Sequence, residues 1–238
     1  MKIGYIVACW FESGRRTQIE AQTEDRYFFV RRHIKALSTL NHNIDSVVFS
    51  INSEKSTSDG ALDYQYIEGL VKRSKLRSRV NNVKVVVREN QAYSYGGYDQ
   101  HVRTTLKGMD YTFCIEDDYE PKSDFFEMPF IRKMLMEEKD DVVMCVQQTG
   151  DHGGKHHASI SNGVINNKAY NSIPNETVHE KNKGADWHQL FFLHDYETEG
   201  MKIMDVSDEF ASIFYNHERK LINYGKENGA TLILPILY

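Results

Sequence analysis

Apolar positions in the first half of the chain follow two alternating rhythms. Lys2–Trp10 is a nearly continuous apolar run, as a strand buried on both faces requires. Glu24–Leu40 places Tyr27, Val30, Ile34 and Leu37 at the three-and-four spacing of one helix face. Ile44–Ile51 predicts a second strand, and a polar Ser/Thr/Asp stretch through Gly60 predicts a loop. Leu62–Arg79 then predicts a helix that turns Tyr66, Leu70 and Val71 inward. Val83–Val87 is a third strand, Tyr98–Lys107 a short helix capped by Gly108, and Tyr111–Ile115 a fourth strand. Strands separated by helices imply right-handed crossovers, so the class is α/β, with a mostly parallel central sheet and helices on both faces.

Beyond Pro121 the rhythm loosens. Ser123 caps a predicted helix to Glu138, and Asp141–Val146 predicts a fifth strand. Asp151–His157 reads as a Gly/His-rich loop, expected to be mobile without ligand and to become ordered when ligand binds. Ser159–Ile165 and Met201–Val206 are further strand candidates on either side of a helix at Asp186–Glu199. Ser207–Asn228 has helical spacing, and Thr231–Leu237 is an apolar tail of no assigned structure. No repeat or low-complexity linker divides 1–238, so the expectation is a single domain with a regular first half and an irregular second half.

Ligands of open α/β sheets bind beyond the carboxyl ends of the strands. Here those ends are Ala8–Gly14, Ser50–Asp59, Arg88–Asp99 and Glu116–Glu120, all polar, charged or glycine-bearing. The last is the most informative, because Glu116, Asp117 and Asp118 stand consecutively at the end of an apolar strand. Three adjacent carboxylates repel one another, and a divalent cation with hard oxygen ligands, magnesium or manganese, relieves the repulsion. A solvated acidic turn is the plainer alternative.

Composition narrows the classes. With 40% hydrophobic and 26% charged residues the chain is an ordinary folded one, and a net charge of −5 argues against a general nucleic-acid binder. The basic stretch Lys72, Arg73, Lys75, Arg77 and Arg79 reads as a solvated helix face. Cys9, Cys114 and Cys145 lie in strand-like runs without CxxC spacing, which points to buried thiols in a reducing compartment. No apolar run reaches the roughly 20 residues that span a bilayer, and the N-terminus lacks the pattern of a secretory signal. The expectation is a cytosolic protein, at most peripheral to a membrane, in which the Asn175-Glu176-Thr177 sequon is incidental.

Three segments in order carry a family resemblance: Arg88-Glu89-Asn90, then Tyr95-Gly96-Gly97-Tyr98-Asp99, then Cys114-Ile115-Glu116-Asp117-Asp118. Their succession resembles the GT-A glycosyltransferases, in particular the inverting family 2-like enzymes, whose strand after a Gly-rich loop ends in a DxD-type motif. The match covers about residues 1–120 well and 121–238 in outline. The loop Trp10–Thr23 departs from it, being longer than usual and carrying Arg15 and Arg16.

The resemblance implies a nucleotide-sugar-binding half, 1–120, and an acceptor-binding half, 121–238. It implies a nucleotide-diphosphate sugar as donor, a glycan or glycoconjugate hydroxyl as acceptor, and Mn2+ or Mg2+. Asp118 is the first choice as metal ligand, with Asp117 on the ribose or a metal-bound water and His217 completing the shell. Donor contacts fall to Ala8, Trp10, Asn52, Arg88, Gly96, Gly97, Asp99 and Asp117, although the glycines also suit a tight turn. The general base is expected at the start of a C-terminal helix, where Asp186 stands before Trp187; Asp195 and Glu197 are alternatives, and Asp186 also suits a helix N-cap. His152, His156 and His157 lack a zinc-like ligand set. Two rivals remain. A sugar-1-phosphate nucleotidyltransferase needs a Gly-rich basic loop after the first strand, of which Gly14-Arg15-Arg16 is a poor version. A non-catalytic carbohydrate-binding protein would use the 14 Tyr and 12 Phe but leaves the acidic triplet unexplained.

Overall fold

A computed structural model describes residues 1–11, 26–53, 57–90, 93–122, 142–145, 147–152, 155–159, 163–172, 202–205 and 214–216. The first half runs β1 (Ile3–Trp10), α1 (Phe28–Thr39), β2 (Ser46–Ser53), α2 (Thr57–Arg73), α3 (Leu76–Arg79), β3 (Asn82–Glu89), α4 (Tyr93–Arg103) and β4 (Tyr111–Glu116). The second half contributes β5 (Tyr119–Pro121), β6 (Val142–Cys145), β7 (Gln147–His152), β8 (Lys155–Ser159), β9 (Gly163–Asn166), α5 (Asn167–Ser172), β10 (Lys202–Asp205) and β11 (Phe214–Asn216).

Strands of both halves join side by side in one seven-stranded sheet, ordered β10-β6-β9-β4-β1-β2-β3. All its neighbours are parallel except β9, which runs antiparallel to β4 and β6. Period-two alternation sends side chains to two cores. Tyr5, Val7, Phe49 and Phe113 meet Val30 and Leu37 of α1 and Ile67 and Val71 of α2 on one face. Ile6, Ala8, Val48 and Cys114 meet Tyr98 and Val102 of α4 and Tyr170 of α5 on the other. Helices therefore cover both faces, as the alternation predicts. Cys9 and Cys114 are buried thiols.

Four local expectations are corrected. Helix α4 begins at Tyr93 rather than Tyr98, so Gly96 and Gly97 lie inside a helix and not in a preceding loop. Gly108 does not adopt the left-handed backbone of a glycine cap. Within the expected loop 151–157, residues 151–152 and 155–157 belong to an antiparallel pair, β7 with β8. Within the expected helix Ser207–Asn228, residues Phe214–Asn216 form strand β11 instead, because they pair with Tyr119–Pro121. The long second helix also starts earlier, at Thr57, and is interrupted before α3. The helices expected at 123–138 and 186–199, and the tail 231–237, lie outside the described residues.

Candidate active site

Register builds the site. Trp10, Asn52 and Arg88 occupy equivalent positions at the carboxyl ends of β1, β2 and β3, with Trp10 opposite Asn52 and Asn52 opposite Arg88. One step back, Ser50 and Glu116 flank Ala8 from either side. Period two sends this set to the face that carries α4. Arg88 donates from Nη1 to Asn52 Oδ1 at 2.7 Å and from Nε to Gln100 Oε1 of α4 at 3.2 Å. Burial pulls the Arg88 guanidinium down to about 10, while the Asp99 and Glu89 charges act upward; it remains a cation at neutral pH.

Helix α4 lies close against the sheet because Gly97 has no side chain. A Cβ there would stand 3.0 Å from Ser50 Oγ and 3.7 Å from Arg88 Cδ. One turn on, His101 Nε2 lies 3.2 Å from the same Ser50 Oγ, and its Nδ1 lies 3.3 Å from Thr105 Oγ1. Burial, then the Arg88 and Lys84 charges, depress the His101 imidazole to about 4, so it is neutral and fixed by two hydroxyls. At the start of α4, Ser94 Oγ donates to Glu116 Oε1 at 3.4 Å.

The acidic segment leaves the centre of the sheet. Asp117 donates its backbone N–H to the Ala8 carbonyl at 3.1 Å, which ties the turn after β4 to β1. Asp117 and Asp118 are both buried, whereas Glu116 is half-exposed. The chain then enters β5, whose Tyr119 pairs with Asn216 of β11. Two adjacent carboxylates offer hard oxygen ligands at a rigid strand end, the donor set that magnesium or manganese takes together with phosphates and water. Among the described residues no group of three potential ligand side chains is assembled.

The structure thus brings together Ala8, Trp10, Asn52, Arg88, Gly97, Asp117 and Asp118, with Gly96 buried in the same turn of α4. Asp99 is buried and accepts from Arg103 Nε and Tyr170 Oη, both at 2.6 Å, with the Arg103 guanidinium 4.7 Å from the Tyr170 ring centroid. The bond from Tyr170 ties α4 to α5. Asp186, Asp195, Glu197 and His217 lie outside the described residues. Sequence reasoning missed Ser50, Gln100 and His101. The alternation of Ser50 and Asn52 with Ile51 was the available signal for the first of these.

No family model matches the chain, and no curated protein does. Solved structures do. The 4-diphosphocytidyl-2C-methyl-D-erythritol synthase of Anaerococcus prevotii superposes with a TM-score of 0.52 at 12% identity, covering 96% of each chain. TarS of S. aureus gives 0.46 at 11% identity over 87% of this chain, which spans about a third (35%) of that protein's length. Mouse xyloside xylosyltransferase 1, in its apo form, gives 0.42 at 10% identity, covering 86% of this chain and 84% of that one. The fold is therefore α/β with a mostly parallel central sheet, shared along nearly its whole length with the Anaerococcus prevotii synthase.

Proposed function

We propose that the protein is a metal-dependent glycosyltransferase that moves a sugar from a nucleotide-diphosphate sugar to a hydroxyl of a glycan or glycoconjugate, with inversion. The observation that carries this reading is the buried Asp117–Asp118 pair at the end of the central strand β4, beside the in-register row Trp10, Asn52 and Arg88. The row supplies an aromatic face, an amide and a cation, a set suited to a base, a ribose and a phosphate. Asp118 and Asp117 would hold Mg2+ or Mn2+, with substrate phosphate oxygens as further ligands. His217 is the proposed third protein ligand, because it follows Asn216, whose partner Tyr119 follows Asp118. When bound, the ion supplies positive charge for the departing nucleoside diphosphate.

The remaining chemistry belongs to the chain. Arg88, fixed by Asn52 and Gln100, places its charge near the donor without reorganising during the reaction. Asp186 is the proposed base. Its carboxylate takes the acceptor proton as the acceptor oxygen bonds to the anomeric carbon, and the bond from that carbon to the diphosphate oxygen breaks on the opposite side. The buried thiols Cys9 and Cys114 suit a reducing, cytosolic setting, and among the described residues no helix is long and apolar enough to cross a membrane.

A panel of nucleotide sugars, incubated with and without MnCl2, tests the reading. The expected product is a nucleoside diphosphate, released in the presence of manganese and faster with a glycan acceptor. Formation of pyrophosphate from a nucleoside triphosphate and a sugar phosphate would overturn it in favour of nucleotidyl transfer. Saturable sugar binding without turnover of any donor would make the protein a carbohydrate-binding module instead.

A further inference from the structure

The acidic pair is followed by two short strands. Strand β5 has three residues and, among the described residues, pairs with the three residues of β11; an isolated two-stranded pair of that length is marginal in water, and this one also rests on the core through Tyr119 and Phe214. Yet this pair fixes where the chain goes after Asp118. Its central residue on β5 is Glu120, opposite Tyr215. From helix α1, Arg32 donates Nε to Glu120 Oε2 at 2.7 Å, and its Nη2 lies 3.5 Å from Oε1, the forked approach of a guanidinium to a carboxylate. Arg32 is itself set against the Phe28 ring, 5.8 Å from its centroid.

The two ends of this bridge differ in rigidity. Helix α1 buries Phe29, Val30, Ile34 and Leu37 in the core, and so is anchored to the sheet independently of β5. Glu120 is mostly covered, its side chain 18% exposed, whereas that of Arg32 is 48% exposed. An ion pair between two exposed flexible side chains contributes little. Here one partner is covered and the other stands on a fixed helix, so the pair constrains position more than it adds stability.

Resting on the metal-dependent reading of the site, we propose that Arg32 is a positioning residue: through Glu120 it holds β5, and with it the chain after Asp118, at the spacing from Asp117 that the divalent cation requires. No contact between Arg32 and substrate is involved.

The test uses the whole chain and two readouts, Mn2+ titration by calorimetry and amide hydrogen exchange. Arg32→Gln keeps most of the stem and loses the charge. It is expected to raise the half-saturating Mn2+ concentration about 3- to 10-fold and to speed exchange at 119–120 and 214–216, leaving exchange in β1 and α1 unchanged. Arg32→Lys, which retains the cation, is expected to recover most of both. Unchanged exchange in β5 and β11, or wild-type Mn2+ affinity in Arg32→Gln, would overturn the positioning role. Absence of Mn2+ binding by the wild-type protein would instead overturn the metal reading, and faster exchange at 119–120 would then show Arg32 holding β5 for structure alone.

Discussion

Single side chains separate the site from its scaffold. Asp118 is buried among like charges, so Asp118→Ala is expected to abolish Mn2+-dependent binding of nucleotide sugar while leaving Tm unchanged or slightly raised, since one of three crowded acids is removed. Calorimetry with manganese reads this directly, and unaltered donor affinity would remove Asp118 from the metal site. Asp186→Asn distinguishes chemistry from capping. If Asp186 accepts the acceptor proton, kcat falls on the order of 10²–10⁴-fold with donor affinity retained. If it only caps a helix the change is nearly silent, because Asn caps about as well as Asp. Near-full turnover in that variant would shift attention to Asp195, then Glu197. Asp99 is held within the scaffold. With its carboxylate taken by Arg103 and Tyr170, it joins two helices, and its proximity to Arg88 raises the charge retention of that guanidinium.

Elements explain which parts of this arrangement the sequence made legible. Strands β1 to β4 are readable because each is a nearly continuous apolar run, and their polar ends lie together at one edge of the sheet. Strand β11 is not, since three residues become a strand only through their partner, and β7 and β8 carry polar residues that resemble a loop. Helix α4 shows the reverse failure. Glycine normally weakens a helix, so Tyr95-Gly96-Gly97-Tyr98 read as the loop before one. The structure uses Gly97 for close approach to β2 instead. Gly97→Ala places a Cβ 3.0 Å from Ser50 Oγ, and that hydroxyl is also engaged with His101, so it cannot turn aside without losing a buried partner. Overpacking of this kind costs about 1–3 kcal/mol. The expected result is a lowered urea midpoint with an unchanged m-value, together with weaker donor binding as α4 moves from Arg88. A midpoint equal to that of the wild type would mean that α4 has room to spare.

At the scale of the whole molecule, the fit of α4 on the sheet makes stability depend on pH. His101 is buried between Ser50 and Thr105, and its imidazole is depressed from 6.5 to about 4 by burial and by the Arg88 and Lys84 charges. His42 is also lowered, by burial first and the Arg79 charge after it, against an opposing hydrogen bond to the Leu37 carbonyl. A lowered histidine pKa means that the unfolded chain binds a proton more readily than the native one. The associated stability is therefore complete above pH 6.5 and is lost as pH falls from 6.5 toward 4. For His101 the difference corresponds to about 3 kcal/mol, a substantial part of the roughly 5–15 kcal/mol that holds a typical domain folded. Protonation would place a second cation beside Arg88 beneath the proposed donor site, so the helix that shapes that site is the one that acid loosens. Urea unfolding at pH 7.5, 6, 5 and 4.5 is expected to show stability falling steadily below pH 6.5. His101→Asn, which cannot charge, is expected to be less stable at pH 7.5 but to lose markedly less between pH 6.5 and 4.5. A variant whose stability falls as steeply as that of the wild type would assign the acid sensitivity to other groups and leave His101 as a packing residue.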